Sequence, residues 1–278
     1  MKNSLPVLCF AEFFGTFLFI SIGLASVAVL VLGLSDINYP WMAACWGVAI
    51  TLAIYVVGGV SGAHMNPAVT LSLAVWGGFD KKNVLPYIVA QIIGAFCAAA
   101  LVYTCFQEQI VAFEAAKGII RDSANGGCSA GMYVTAAGAS VSTMTAFLVE
   151  AFITCLLVLV IYATTDVKNP AAPGLGLPAL AIGAIVLFCG IAFGPLTGFA
   201  MNPARDLGPR LFLMVSGWGQ AALGNGSYWL IVPIVATITG GQIAGFLYTK
   251  VICRGIAAHC PPEGSVACEA PADLIDAA

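Results

Sequence analysis

The stretch 197-TGFAMNPARD-206 sets an asparagine, a proline, an arginine and an aspartate side by side in a chain of 278 residues that is 60% hydrophobic and only 8% charged. A near-copy, 61-SGAHMNPAVT-70, stands nearer the N-terminus, with identity at Gly62/Gly198, Met65/Met201, Asn66/Asn202, Pro67/Pro203 and Ala68/Ala204. Asparagine is a favoured N-cap and proline is preorganised for the first helical position. Each Asn-Pro-Ala therefore opens a helix. The apolar residues after each motif, 67-PAVTLSLAVWGGF-79 and 203-PARDLGPRLFLMVSGW-218, supply about a dozen helical residues, half of the roughly 20 needed to cross hydrocarbon. They read as re-entrant half-helices.

Around them lie stretches long and apolar enough to span a membrane, at about 8–32, 41–59, 84–106, 143–164, 178–194 and 229–251. The flanks echo as well: 11-AEFFGTFLF-19 against 149-VEAFITCLL-157, and 91-QIIGAF-96 against 242-QIAGF-246. Each half is three spans and one half-span. An odd number of crossings turns the second half upside down, which makes an inverted-topology repeat. The expected fold is an all-α membrane protein, six transmembrane helices plus two re-entrant half-helices, in one domain over 1–254. Repeat one covers about 5–106 and repeat two about 143–252, and 255–278 reads as a disordered cytoplasmic tail.

Composition excludes several classes. A net charge of −3 offers nothing to nucleic acid, and ten cysteines without a C-x-x-C pair read as packing residues. Cys253, His259, Cys260 and Cys268 fit no tetrahedral spacing, and 174-GLGLPA-179 follows prolines rather than a strand, so no metal and no cofactor are expected. The N-terminal run continues to about Leu34 and carries Glu12, which suits a retained span better than a cleaved leader. With the N-terminus inside, Lys2, Lys81, Lys82, Lys168, Lys250 and Arg254 fall on the inner side, and Lys117, Arg121 and Arg210 on the outer. Both termini are then cytoplasmic and 107–141 is an outer loop, with a sequon at Asn225-Gly226-Ser227 on the same side.

Inverted half-helices meet N-terminus to N-terminus near the midplane, with their positive ends converging. The backbone before each asparagine is tolerable at that depth only where it lines water. That implies a pore lined by Gly62, Ala63, His64 and Met65 on one side and Gly198, Ala200 and Met201 on the other. Arg205 stands where the first copy has Val69, so one cation sits at one end only, facing water or a partner rather than lipid. Glu12 and Glu150 match between the halves and are expected to orient the re-entrant loops. The alternative for them is a proton relay, which would make the protein a secondary transporter. His64 reads as pore-lining, against a buried structural role. An adhesive role for 107–141 is a further alternative, and no nucleophile or base constellation suggests an enzyme.

The residues 62-GAHMNPAVT-70 and 194-GPLTGFAMNPARD-206, with the repeats over about 5–252, resemble the aquaporin superfamily, the major intrinsic proteins. The likeness is strongest to bacterial glycerol facilitators of its aquaglyceroporin branch. The resemblance implies a right-handed bundle whose narrowest point is formed by Trp46, Gly190, Phe199 and Arg205. It implies that Asn66-Pro67-Ala68 and Asn202-Pro203-Ala204 exclude protons and ions. Two aromatics beside a glycine, Asp206 after the arginine as a supporting residue, and Pro233-Ile234 fit the glycerol type; Met65 stands where leucine is frequent. By resemblance, the expected function is a passive channel for glycerol and other small uncharged polyols, with some water. It would be a homotetramer with one pore per subunit, in the plasma or bacterial inner membrane. A strict water channel is the alternative within the same superfamily.

Overall fold

Helices start and stop at the caps the sequence supplies. The computed structural model describes residues 3–259 apart from 175 and 225. α1 (Leu5–Leu32) ends where Gly33 turns left-handed, φ 65°, and the Leu34 N–H bonds back to Val29 O. α2 (Tyr39–Ser61) starts on Asn38, whose side chain accepts from the Trp41 N–H, and ends at left-handed Gly62. α3 (Pro67–Trp76) is the first half-helix, and α4 (Val84–Lys117) comes next. A single turn, α5 (Gly127–Ala130), interrupts the connection to α6 (Thr143–Thr165). α7 (Leu177–Thr197) ends at left-handed Gly198, and α8 (Pro203–Leu213) is the second half-helix. The last span, Tyr228–Ala257, absorbs Pro233 in a π-helical segment at Ile231–Ala236. Among the described residues six helices are long and apolar enough to cross a membrane, and no strand occurs.

Two boundaries differ from the sequence reading. α4 runs eleven residues past 106, because 107-QEQIVAFEAAK-117 is made of good helix formers and stops only at Gly118, φ 61°. The last span continues as helix through Cys253–His259, while 260–278 and the sequon's Asn225 lie outside the described residues, as does Lys2.

The halves exchange their half-helices. α3 packs mainly on Thr237–Leu247 of the last span and α8 mainly on α4, while α2 and α7 cross each other. In lipid, helices approach closely only over small residues. A Cβ on Gly47 would lie 2.6 Å from Gly183 O, and one on Gly183 2.5 Å from Gly47 O, so these two glycines mark the α2–α7 crossing. A Cβ on Gly94 would collide with Phe13 O, and one on Gly240 with Ala151 O. Phe13 and Ala151 come directly after Glu12 and Glu150, so Gly94 and Gly240 are the structural counterparts. The Gln-Ile echo of 91–96 and 242–246 is out of register by five. Gln91 reaches Glu12, whereas Gln242 accepts from Trp76 Nε1 on the half-helix α3.

The outer surface carries exposed Phe10, Trp41, Leu85, Leu148 and Phe188, the composition of a face turned to lipid. Charges sort to the ends. Lys81, Lys82, Lys168, Lys250 and Arg254 are exposed at the end where α2, α3 and α6 finish. Of the three cations counted at the other end only Lys117 is exposed. Arg121 is ion-paired to Glu114, and Arg210, at 1% exposure, to Asp206. The charge asymmetry is therefore steeper than the sequence count.

Candidate functional site

Two non-helical stretches, 62–66 and 198–202, enter the bundle from opposite ends and meet at the asparagines. Asn66 Oδ1 accepts the Ala68 N–H at 2.9 Å, and Asn202 Oδ1 accepts from Ala204 and Arg205 at 2.9 and 3.2 Å; these are the N-caps of α3 and α8. Each amide nitrogen then reaches across. Asn66 Nδ2 donates to Met201 O at 2.9 Å and Asn202 Nδ2 to Met65 O at 2.8 Å. The same side chain caps its own half-helix and ties down the loop of the other repeat.

Among the described residues Ala63, Met65, Phe199 and Met201 are the only non-glycines with positive φ, at 49°, 48°, 41° and 53°. All four lie on these two stretches, and the left-handed region costs such residues about 1–2 kcal/mol each. Glu12 and Glu150 hold them there. Glu12 Oε1 accepts from Ser61 Oγ (2.7 Å) and His64 N (2.9 Å), and its Oε2 from Met65 N and Gln91 Nε2 (both 2.7 Å). Glu150 Oε1 accepts from Thr197 Oγ1 (2.6 Å) and Ala200 N (2.8 Å), and its Oε2 from Met201 N (2.9 Å). The carboxylates grip the loop N–H groups from behind, which turns the carbonyls the other way. Among the described residues the carbonyls of Gly62, Ala63 and His64, and of Gly198, Phe199 and Ala200, accept no hydrogen bond from the protein. They remain available as a ladder of acceptors.

The free space lies along that ladder. A cavity of about 110 Å³ is lined by Gly62, Ala63, His64, Met65 and Asn66 together with aliphatic side chains. It joins a narrower one of about 30 Å³ through the shared residues Ile50, Asn66 and Leu157. Three helical stripes at four-residue spacing form the opposite wall: Trp46, Ile50 and Ile54 on α2, Leu157, Ile161 and Thr165 on α6, and Pro178, Ile182 and Val186 on α7. One side of the lumen offers hydrogen-bonding groups, the other hydrocarbon. Asn66 and Asn202 both line the narrow part. His64 faces the wide part, its Nδ1 3.2 Å from Thr70 Oγ1 and its ring against Phe79 and Tyr87.

At the narrow end Arg205 is 6% exposed, donates from Nη1 to Tyr133 O at 3.0 Å, and lies 4.3 Å over the Trp46 ring. Trp46 and Phe199 meet edge to face, centroids 6.1 Å apart. Among the described residues the buried Trp46 Nε1–H has no hydrogen-bond partner. Trp46, Phe199 and Arg205 line the cavity, but Gly190 does not. A Cβ there would stand 3.1 Å from the Phe199 ring, so the glycine is the seat of that ring rather than open lumen. Gly23 is the matching seat for Trp46, with a Cβ only 2.5 Å from three indole atoms.

Several of these partners escape a reading of motifs alone. Ser61 and Thr197 occupy equal places before the two glycines of the repeat, a signal present once the two repeats are set side by side. Tyr87 and Tyr228 donate to the carbonyls of Ser61 and Thr197 at 3.0 and 3.2 Å and finish the same construction on both sides. Thr135, Tyr133 and Gly23 carry no sequence signal that points to the site.

Two adjoining cavities, two half-helices meeting beside them, and their loops cross-tied by an inverted repeat are the construction of an α-helical membrane channel. The family model described as "Major intrinsic protein" matches residues 3–248. The chain belongs to that family. It is 41% identical over 262 residues to the glycerol uptake facilitator protein of Haemophilus influenzae, covering 94% of this chain and 99% of that one. It is 40% identical over 258 residues to the propanediol uptake facilitator of Salmonella typhimurium, covering 92% and 97%. Among solved structures it is similar to the X-ray structure of the aquaglyceroporin from Plasmodium falciparum, with a TM-score of 0.80 and 29% identity, covering 92% of this chain and all of that one.

Proposed function

We propose that this protein is a passive channel for glycerol and other small uncharged polyols, with some water, and that it excludes ions and protons. The observation that carries the reading is the two-sided lumen. A polyol has a carbon edge and a hydroxyl edge, and the path offers hydrocarbon on one wall and acceptors on the other throughout. At the narrow end the aromatic faces of Trp46 and Phe199 take the carbons, while Arg205 and the unpaired Trp46 Nε1–H donate to hydroxyls. Asn66 and Asn202 supply donors midway. The names of the two bacterial relatives and of the solved structure point to the same solute class.

The transporter reading is disfavoured by Glu12 and Glu150, both 0% exposed and absent from the lumen wall. Their oxygens are occupied by loop N–H and side-chain donors, so neither stands where it would exchange protons with the path. Orientation with both termini cytoplasmic is supported by the exposed lysines and arginine at the wide end. Membership of the family supports a homotetramer with one pore per subunit. The test is an osmotic step with glycerol on reconstituted vesicles. Rapid re-swelling linear in the gradient is expected; re-swelling no faster than protein-free vesicles, alongside fast water flux, would replace this reading by the strict water channel.

A further inference from the structure

Among the described residues the Arg205 guanidinium has one protein acceptor, the carbonyl of Tyr133, and that carbonyl sits in an irregular connection rather than on a helix. Two residues on, Thr135 is gripped three ways. Its N–H and its hydroxyl both donate to Asp206 Oδ1 at 2.7 Å, and its carbonyl accepts from Arg210 Nη2 at 2.6 Å. Asp206 and Arg210 form an ion pair one turn apart on α8, each 1% exposed, and Arg210 Nη1 also donates to Ala222 O at 2.8 Å.

The contacts close a ring: α8 carries Arg205 and the pair, the pair holds Thr135, Thr135 places Tyr133, and the Tyr133 carbonyl holds Arg205. A buried ion pair is a poor source of stability compared with apolar packing of similar volume, so its value here is geometric. We propose that Asp206 and Arg210 are positioning residues that hold the Arg205 guanidinium over Trp46 at the wall of the path, and thereby set solute discrimination at the narrow end. This rests on the reading of Arg205 as part of the constriction. Released, the long side chain has the small cavity beside it to swing into, and it obstructs a polyol before it obstructs water.

The test uses full-length protein in vesicles, with glycerol and water fluxes measured on the same preparation and scaled to folded protein. Asp206→Asn together with Arg210→Gln removes both charges, so neither is left buried alone. The expected result is a fall of about tenfold in the glycerol-to-water ratio; Thr135→Val, which leaves the pair intact, shifts the ratio the same way by about threefold. In an Arg205→Val background the double change alters the ratio less than about twofold, because its effect passes through Arg205. A purely structural role lowers both fluxes together and leaves the ratio alone. If the double variant does not fold, Thr135→Val alone and in the Arg205→Val background decides the matter. An unchanged ratio in these variants, or a shift that persists without Arg205, overturns the proposal. An Arg205→Val protein with the parental ratio overturns the constriction reading itself, and this proposal with it.

Discussion

Replacing Glu150 by glutamine tests the construction of the second loop with the loss of one acceptor. The carboxylate takes three donors, Thr197 Oγ1 and Ala200 N on one oxygen and Met201 N on the other. A glutamine has one acceptor oxygen and one NH₂, so whichever way it sits at least one backbone N–H faces another donor. A hydrogen bond to a charged group contributes about 1.5–3 kcal/mol. The loop it restrains carries Phe199 and Met201 in the left-handed region, where each is held against about 1–2 kcal/mol. The expected net loss is about 3 kcal/mol, or a fall in melting temperature of roughly 6–12 °C for a chain of this size. Thr197→Val keeps both backbone N–H bonds to Glu150 but loses the hydroxyl's bond to the carboxylate and its acceptance of the Phe199 N–H at 3.3 Å, so it costs about 2 kcal/mol. Thermal aggregation of detergent-solubilised protein gives the stability order, and stopped-flow flux between pH 5.5 and 8.5 gives the function. The expected loss in Glu150→Gln is the same at every pH. A variant as stable and conductive as the parent refutes the restraint argument. A pH-dependent flux in the parent that disappears in the variant means that Glu150 carries protons and the channel reading fails.

Gly23→Ala puts a methyl 2.5 Å from the Trp46 indole, so the ring must move about 1 Å toward the lumen, and glycerol flux should drop about tenfold while the protein still inserts. Unchanged glycerol flux would show that α1 and α2 separate instead. Gly190→Ala presses on Phe199 from 3.1 Å and should act in the same direction but more weakly; Gly190→His should displace the ring and cut glycerol far more than water. Equal losses of the two fluxes would count against Phe199 as a size determinant. Arg205→Val, which copies Val69 of the first repeat, should admit a proton leak visible with a pH-sensitive dye under an imposed potential. A tight Arg205→Val protein would place the proton barrier elsewhere.

The legibility of the fold and the site depends on contrast within the sequence. The half-helices are legible because Asn-Pro-Ala, arginine and aspartate stand out in an apolar chain, and because the motif occurs twice. Glu12 and Glu150 are legible as a matched pair, although the groups they hold are loop N–H donors, a detail only the fold supplies. The lumen stripes at 46/50/54, 157/161/165 and 178/182/186 are not legible. Helical periodicity is normally read as apolar against polar, and here the lumen-facing wall is as aliphatic as the lipid-facing one. Nor is the role of Gly190, since a glycine in sequence reads as open space while the fold fills that space from Phe199. The clamp on Tyr133 joins positions about 70 residues apart through a backbone carbonyl, and backbone carbonyls carry no side-chain signature.

The inverted repeat also explains why the two asparagines must occur together. Each amide oxygen is spent on capping its own half-helix, and one amide hydrogen on the carbonyl before the other asparagine. An amide group has two hydrogens, so each asparagine keeps one for the lumen, and both line its narrow part. A water passing that level meets two donors backed by the positive ends of two half-helices. Such donors would hold it by its oxygen, with its own hydrogens directed away along both arms of the path. On the function proposed here, neighbouring waters would not pass a proton through it without reversing that orientation against both half-helices. A polyol hydroxyl meets the same donors at no comparable penalty, because it carries no net charge and needs only one oxygen at that level. Losing either asparagine uncaps one half-helix and unties the opposite loop in the same step, so the shape of the lumen, and the proton barrier proposed for it, rest on the same five hydrogen bonds.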